Sequence, residues 1–96
     1  MPLDEKKFIL GERRRVTLDT WLVTNRPFVI KDAKWELFRK DERVAHGKLT
    51  KAKANNHWLL QALIEPTEPG HYLLVYTYYL GDERMVRNLK IHVKKC

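Results

Sequence analysis

Metal-binding chemistry would have to come from four histidines, His46, His57, His71 and His92, and the single cysteine, Cys96. Their spacings match neither the paired ligands of a zinc finger nor the His-Glu-x-x-His box of a helical zinc site. Nucleophilic catalysis is poorly served as well. The chain has no serine, its threonines fall inside strand-like runs, and Cys96 sits at the chain end, where nothing would hold a histidine against it. Carboxylate pairs can be drawn from Glu65 and Glu68 or from Asp41 and Glu42. These occupy polar turns, with no environment that would drive their pKa values apart. Phosphate cradling needs clustered glycines, and Gly11, Gly47, Gly70 and Gly81 stand singly, as turn or bulge residues do. The expectation is a protein without catalytic residues, metal or cofactor.

The elements around these residues point the same way. A chain of 96 residues has room for one hydrophobic core, so residues 1–96 read as a single domain. Three Trp, four Tyr and three Phe supply enough apolar area to build that core without disulfides. Apolar residues recur with period two through most of the chain, the signature of half-buried strands rather than helices. Val16 and Leu18 alternate with Thr17 and Asp19; Trp35 and Leu37 share one parity; Leu89, Ile91 and Val93 alternate with Asn88, Lys90 and His92. Tyr72 to Leu80 is the most strand-prone run, with Tyr72, Tyr76 and Tyr78 on one parity and expected in the core. Asn25-Arg26-Pro27, Lys40 to Arg43, Glu65 to Gly70 and Gly81-Asp82 break the pattern as turns, and Lys51 to Asn56 reads as a polar connector. The expected edges are the first strand and the Pro27 segment, with Lys6, Lys7, Arg26 and Lys31 blunting them.

Two stretches carry a more specific likeness. Pro69-Gly70-His71-Tyr72-Leu73-Leu74 resembles the lead into the penultimate strand of immunoglobulin-like sandwiches. Ala33-Lys34-Trp35-Glu36-Leu37, with the polar turn and returning strand after it, resembles the third-strand hairpin of bacterial and bacteriophage members of that group. The resemblance implies an all-β fold: an immunoglobulin-like antiparallel β-sandwich of about seven strands with Greek-key connections. It also implies that Trp35 lies at the centre of the core and that the Tyr72 hydroxyl bonds back to the loop before it. Members of the group act mostly as spacers, adhesins, virion decorations or carbohydrate-binding appendages. The resemblance therefore implies a non-catalytic structural or protein-interaction module, in a phage or prophage virion or in a bacterial surface protein.

A net charge of +7 favours anionic partners. A small basic β-barrel that binds single-stranded nucleic acid is the alternative, but the basic residues are mixed with acids along the chain, as in Asp82-Glu83-Arg84. A protein partner or self-assembly is the preferred expectation. Its surface is placed at Trp21, Phe38 and Tyr79, which fall on outward parities, with Arg84 and Arg87 beside them. The loops Asn25 to Ala33, Lys51 to Asn56 and Gly81 to Arg84 are further candidates. No run approaches the roughly 20 apolar residues of a membrane span. The first residues lack the apolar core of an export signal. The expected setting is soluble, cytoplasmic or virion-associated, and extracellular if the domain belongs to a longer exported protein.

Overall fold

The computed structural model describes residues 5–21, 29–54 and 57–95. They form eight strands: β1 Glu5–Ile9, β2 Arg14–Trp21, β3 Ile30–Arg39, β4 Glu42–Lys48, β5 Thr50–Ala54, β6 His57–Ile64, β7 Gly70–Leu80 and β8 Glu83–Lys94. Two sheets face each other. One has five strands in the order β1-β8-β7-β3-β4, the other three in the order β2-β6-β5. The chain changes sheet between β1 and β2, between β2 and β3, at Leu49 between β4 and β5, and between β6 and β7, which makes this a sandwich and not a run of hairpins.

The alternation seen in the sequence is the reason for the two layers. Buried Leu37, Tyr76 and Ile91 of the larger sheet and Val16, Leu60 and Ile64 of the smaller one are among the inward set. The core they form includes Trp35, Tyr72 and Tyr78, as expected. Tyr76 ties the layers together: its hydroxyl donates to the Val16 carbonyl across the core at 2.7 Å. Burial pushes its phenol far above the ordinary tyrosine range.

Trp35 is accommodated by a missing side chain. Gly47 lies directly across the β3–β4 ladder from it, and a Cβ there would stand 2.9 Å from the indole Nε1. Gly47 is thus an interior strand residue rather than a turn or bulge, kept small by the ring that crosses it.

The loop into β7 has the expected corner. The Tyr72 hydroxyl donates to the Glu68 carbonyl at 2.7 Å. Arg39, at the end of β3, lies over the Tyr72 ring with its guanidinium 5.9 Å from the centroid. It also pairs with Glu68 and donates to the Pro69 carbonyl. Gly70, at φ +128°, takes a backbone conformation that other residues rarely adopt.

Three features differ from the sequence expectation. There are eight described strands rather than seven, because Lys51 to Ala54 form most of a strand, β5, instead of a polar connector. Their backbone completes the ladder of the apolar β6, small Ala52 and Ala54 alternate with the lysines, and the Lys51 amine bonds the Ile30 carbonyl at 2.8 Å. The sandwich is not wholly antiparallel, since β1 runs parallel to β8. Ile30 opens β3 and is fully buried, while Val29 before it is exposed; β3 lies between β7 and β4, so Ile30 belongs to an inner strand and not to an edge or loop. Asn25, Arg26, Pro27, Asn55, Asn56 and Cys96 lie outside the described residues.

Candidate interaction surface

The expected surface residues do not all meet. Trp21 ends β2 in the three-stranded sheet, opposite His57, and its side chain lies outside the described residues. Phe38 and Tyr79 belong to the other sheet, and both are half-buried. Phe38 is level with Leu73, six residues along β7 from Tyr79, a separation of about 20 Å at strand rise. Tyr79 and Arg84 are direct partners across the β7–β8 hairpin. Arg87 pairs with Tyr76, so it takes the inward parity, at the open side between the sheets, where its charge lowers the Tyr78 pKa against the raising effect of burial. Arg84 and Arg87 therefore serve opposite faces. Of the candidate loops, Gly81-Asp82 is a tight exposed turn.

The ladders bring together a different set. On the outward face of the five-stranded sheet, side chains line up in rows across the strands. At one end Lys7, His92 and His71 stand side by side. The two imidazoles stack with centroids 4.3 Å apart and planes 12° from parallel. The next row is Glu5, Lys90, Leu73, Phe38 and Arg43. Then come Asn88, Val75, Glu36 and His46, followed by Val86, Thr77, Lys34 and Lys48. At the far end Tyr79 lies between Arg84 and Lys31. Lys94, opposite Ile9, completes the face.

Two properties emerge from these rows. A strip of apolar and aromatic side chains, Leu73, Val75 and Tyr79 with Phe38 and exposed Val86 beside them, runs along the middle. Cations border it on both sides. The face carries eight lysines and arginines against Glu5, Glu36 and exposed Asp32, which shares a hollow with Lys34 and Lys48, a net +5. One of those glutamates, Glu36, is taken up by Arg43 at 3.2 Å. The outward face of the three-stranded sheet has only Arg15 and Asp19 among its charged strand residues, and so balances to zero. The folded domain segregates charge that the sequence intersperses.

Among the described residues no three His, Cys, Asp or Glu side chains come together as metal ligands. Within the three-stranded sheet the His57 Nδ1 lies 2.9 Å from Asp19, in an exposed pair. An open hollow on the sheet surface lies over Phe38, Leu73, Val75 and Lys90.

Of the expected surface residues, Phe38, Tyr79 and Arg84 lie on this face, which also holds Lys7, Lys34, Lys48 and Lys90, cations that were not placed with them. The signal lay in parity: Lys90 is one step from Leu89, and Lys34 one step from Trp35, so both had to face away from the core.

Eight strands in two sheets, with a tyrosine corner before β7 and a buried tryptophan on β3, define an immunoglobulin-like β-sandwich. No protein-family model matches the chain, and no curated protein matches it. Among solved structures it is similar to the titin tandem Ig domains, with 12% identity, a TM-score of 0.43, and coverage of 99% of this chain and 46% of that one. It is also similar to the titin M10–obscurin-like 1 Ig complex, at 16% identity and a TM-score of 0.42, covering 98% and 90% of the two chains. A mutant of that complex gives 18% identity and a TM-score of 0.44, with 99% and 88% covered. Among the described residues no helix is long and apolar enough to cross a membrane.

Proposed function

We propose that this domain is a non-catalytic interaction module that docks a protein partner on the outward face of its five-stranded sheet. The observation that carries this reading is the apolar patch of Phe38, Leu73 and Val75 along that face, continued past Thr77 by Val86 and Tyr79, held on paired strands and edged by charge. Apolar strips rimmed by polar groups are the usual form of a docking surface. The face measures about 20 by 26 Å from strand spacing and rise, about 500 Å², the scale of one side of a small interface. The setting that best suits such a module is a virion component or one domain of a longer bacterial surface protein, on the strength of the Trp35 and Tyr72 motifs described above.

The reading is tested by selecting binders from a random peptide library and mapping them by amide shift perturbation. Val75→Glu and Phe38→Glu should abolish binding while the melting temperature stays high enough to keep the domain folded. Binders that map to the three-stranded sheet, or that ignore both substitutions, would overturn it. Single-stranded nucleic acid is the second reading, favoured by the cations of the same face; its aromatics, Phe38 and Tyr79, are half-buried and about 20 Å apart, where stacking platforms need exposed neighbouring rings.

A further inference from the structure

The charge of the docking face specifies the chemistry of what covers it. We infer that the five-stranded sheet receives an acidic peptide segment, one in which Asp or Glu alternates with apolar residues; this rests on the docking reading above. Two features of the face carry the inference together. The first is the concentration of net positive charge on one side of the sandwich, against zero on the other. The second is where those charges lie. Lys34 and Lys48 are direct cross-strand partners, a like-charge contact that destabilises the ladder. Lys31 and Arg84 bracket Tyr79, and Lys90 and Arg43 flank the Leu73–Phe38 pair, with Glu5 beyond Lys90 at the sheet edge.

An apolar strip between two cationic borders matches a segment whose apolar residues seat on Leu73 and Val75 while its carboxylates reach outward to the lysines. An extended chain of about eight residues crosses the sheet. A phosphate backbone would satisfy the cations but leave the strip against solvent or sugar. A neutral peptide would satisfy the strip and leave the cations facing one another.

The test uses the whole domain and four probes. The first is a peptide of about ten residues alternating Glu with Leu, Val and Tyr. The second is its Gln-for-Glu counterpart. The third is an oligothymidylate of about twenty nucleotides, and the fourth is vesicles rich in phosphatidylserine. The acidic peptide should bind at least about tenfold more tightly than the Gln peptide at low salt, with most of that margin lost near 0.5 M salt, where screening acts within a few ångströms. Lys34→Glu with Lys90→Glu should weaken the acidic peptide about tenfold or more and leave the Gln peptide within about twofold. If both peptides bind the face equally and salt has no effect, the docking reading stands and the acidic partner is lost. If neither peptide binds and the library selection finds nothing on this face, the docking reading itself fails. Tighter binding of the oligonucleotide or the vesicles than of the acidic peptide overturns the inference in favour of a polyanion.

Discussion

Replacing Gly47 by alanine places one methyl group into the Trp35 indole. The added Cβ would meet Nε1 at 2.9 Å and Cε2 and Cζ2 at 3.0 Å, all closer than van der Waals contact permits. The ring cannot swing away cheaply, because Trp35 is only 9% exposed and is packed in the core. Overpacking of this kind costs about 1–3 kcal/mol. Gly47 is not among the glycines with positive φ, so alanine there also gains about 0.5–1 kcal/mol by restricting the unfolded chain. The net expectation is a loss of about 1–2 kcal/mol, or roughly 5–15 °C in melting temperature for a domain of this size. Urea unfolding followed by circular dichroism gives the free energy by linear extrapolation. The decisive measurement is the same substitution in a Trp35→Phe background, which removes the indole atoms that the methyl meets. There Gly47→Ala should become neutral or stabilising, a coupling of about 1–2 kcal/mol. An equal cost in both backgrounds, or a Gly47→Ala variant as stable as its parent, would refute the close approach of ring and strand.

Other consequences are simpler to read. Tyr76→Phe leaves the buried Val16 carbonyl without its donor and should cost about 1–3 kcal/mol, whereas Tyr72→Phe releases the Glu68 carbonyl in an exposed loop and should cost about 1 kcal/mol; urea midpoints in the reverse order would contradict the inter-sheet role of Tyr76. Burial raises the Tyr76 phenol above its unfolded value, and Tyr78 in the same direction, so above pH 10 the unfolded chain has lost protons that the folded one keeps. The stability these phenols contribute is complete below pH 10 and falls as pH rises beyond it, by up to about 1.4 kcal/mol per pH unit per tyrosine. Tyr76→Phe should flatten that decline in melts between pH 10 and 11.5, and an unchanged slope would count against a buried neutral phenol.

Much of the fold could be read locally. Alternation placed Tyr72, Tyr76 and Tyr78 in the core and Trp35 and Leu37 on one face, and the resemblance put Trp35 at the core's centre; parity within a strand needs no knowledge of the neighbours. What escaped depends on contacts between distant parts of the chain. Glu5 pairs with Lys90, and nothing near either residue announces a parallel pairing. β5 escaped because its sequence, Thr-Lys-Ala-Lys-Ala, buries little of its own and forms a strand only as backbone partner to β6. Gly47 reads as a turn until Trp35 is laid across it. The surface was misjudged for the same reason. Trp21, Phe38 and Tyr79 share an outward parity, but parity does not say in which sheet a strand lies, and the crossover after β2 separates Trp21 from the other two.

That separation of sheets also explains how interspersed charges became one-sided, and it has a cost. Eight cations on one face repel one another, and Lys34 directly opposite Lys48 is the sharpest instance. If solubility were all the face provided, a carboxylate at either position would serve as well and would turn a repulsive cross-strand contact into an attractive one. Lys48→Glu should therefore stabilise the domain, by about 0.3–1 kcal/mol at low salt. Salt screens the repulsion, so the parent should gain stability between about 20 mM and 0.3 M sodium chloride, and the variant should gain less. The same substitution should weaken the acidic peptide, trading binding for stability in opposite directions from a single site. Melts that show no salt dependence in the parent, or a Lys48→Glu variant less stable than it, would mean that the cations are spaced and solvated well enough not to sense each other.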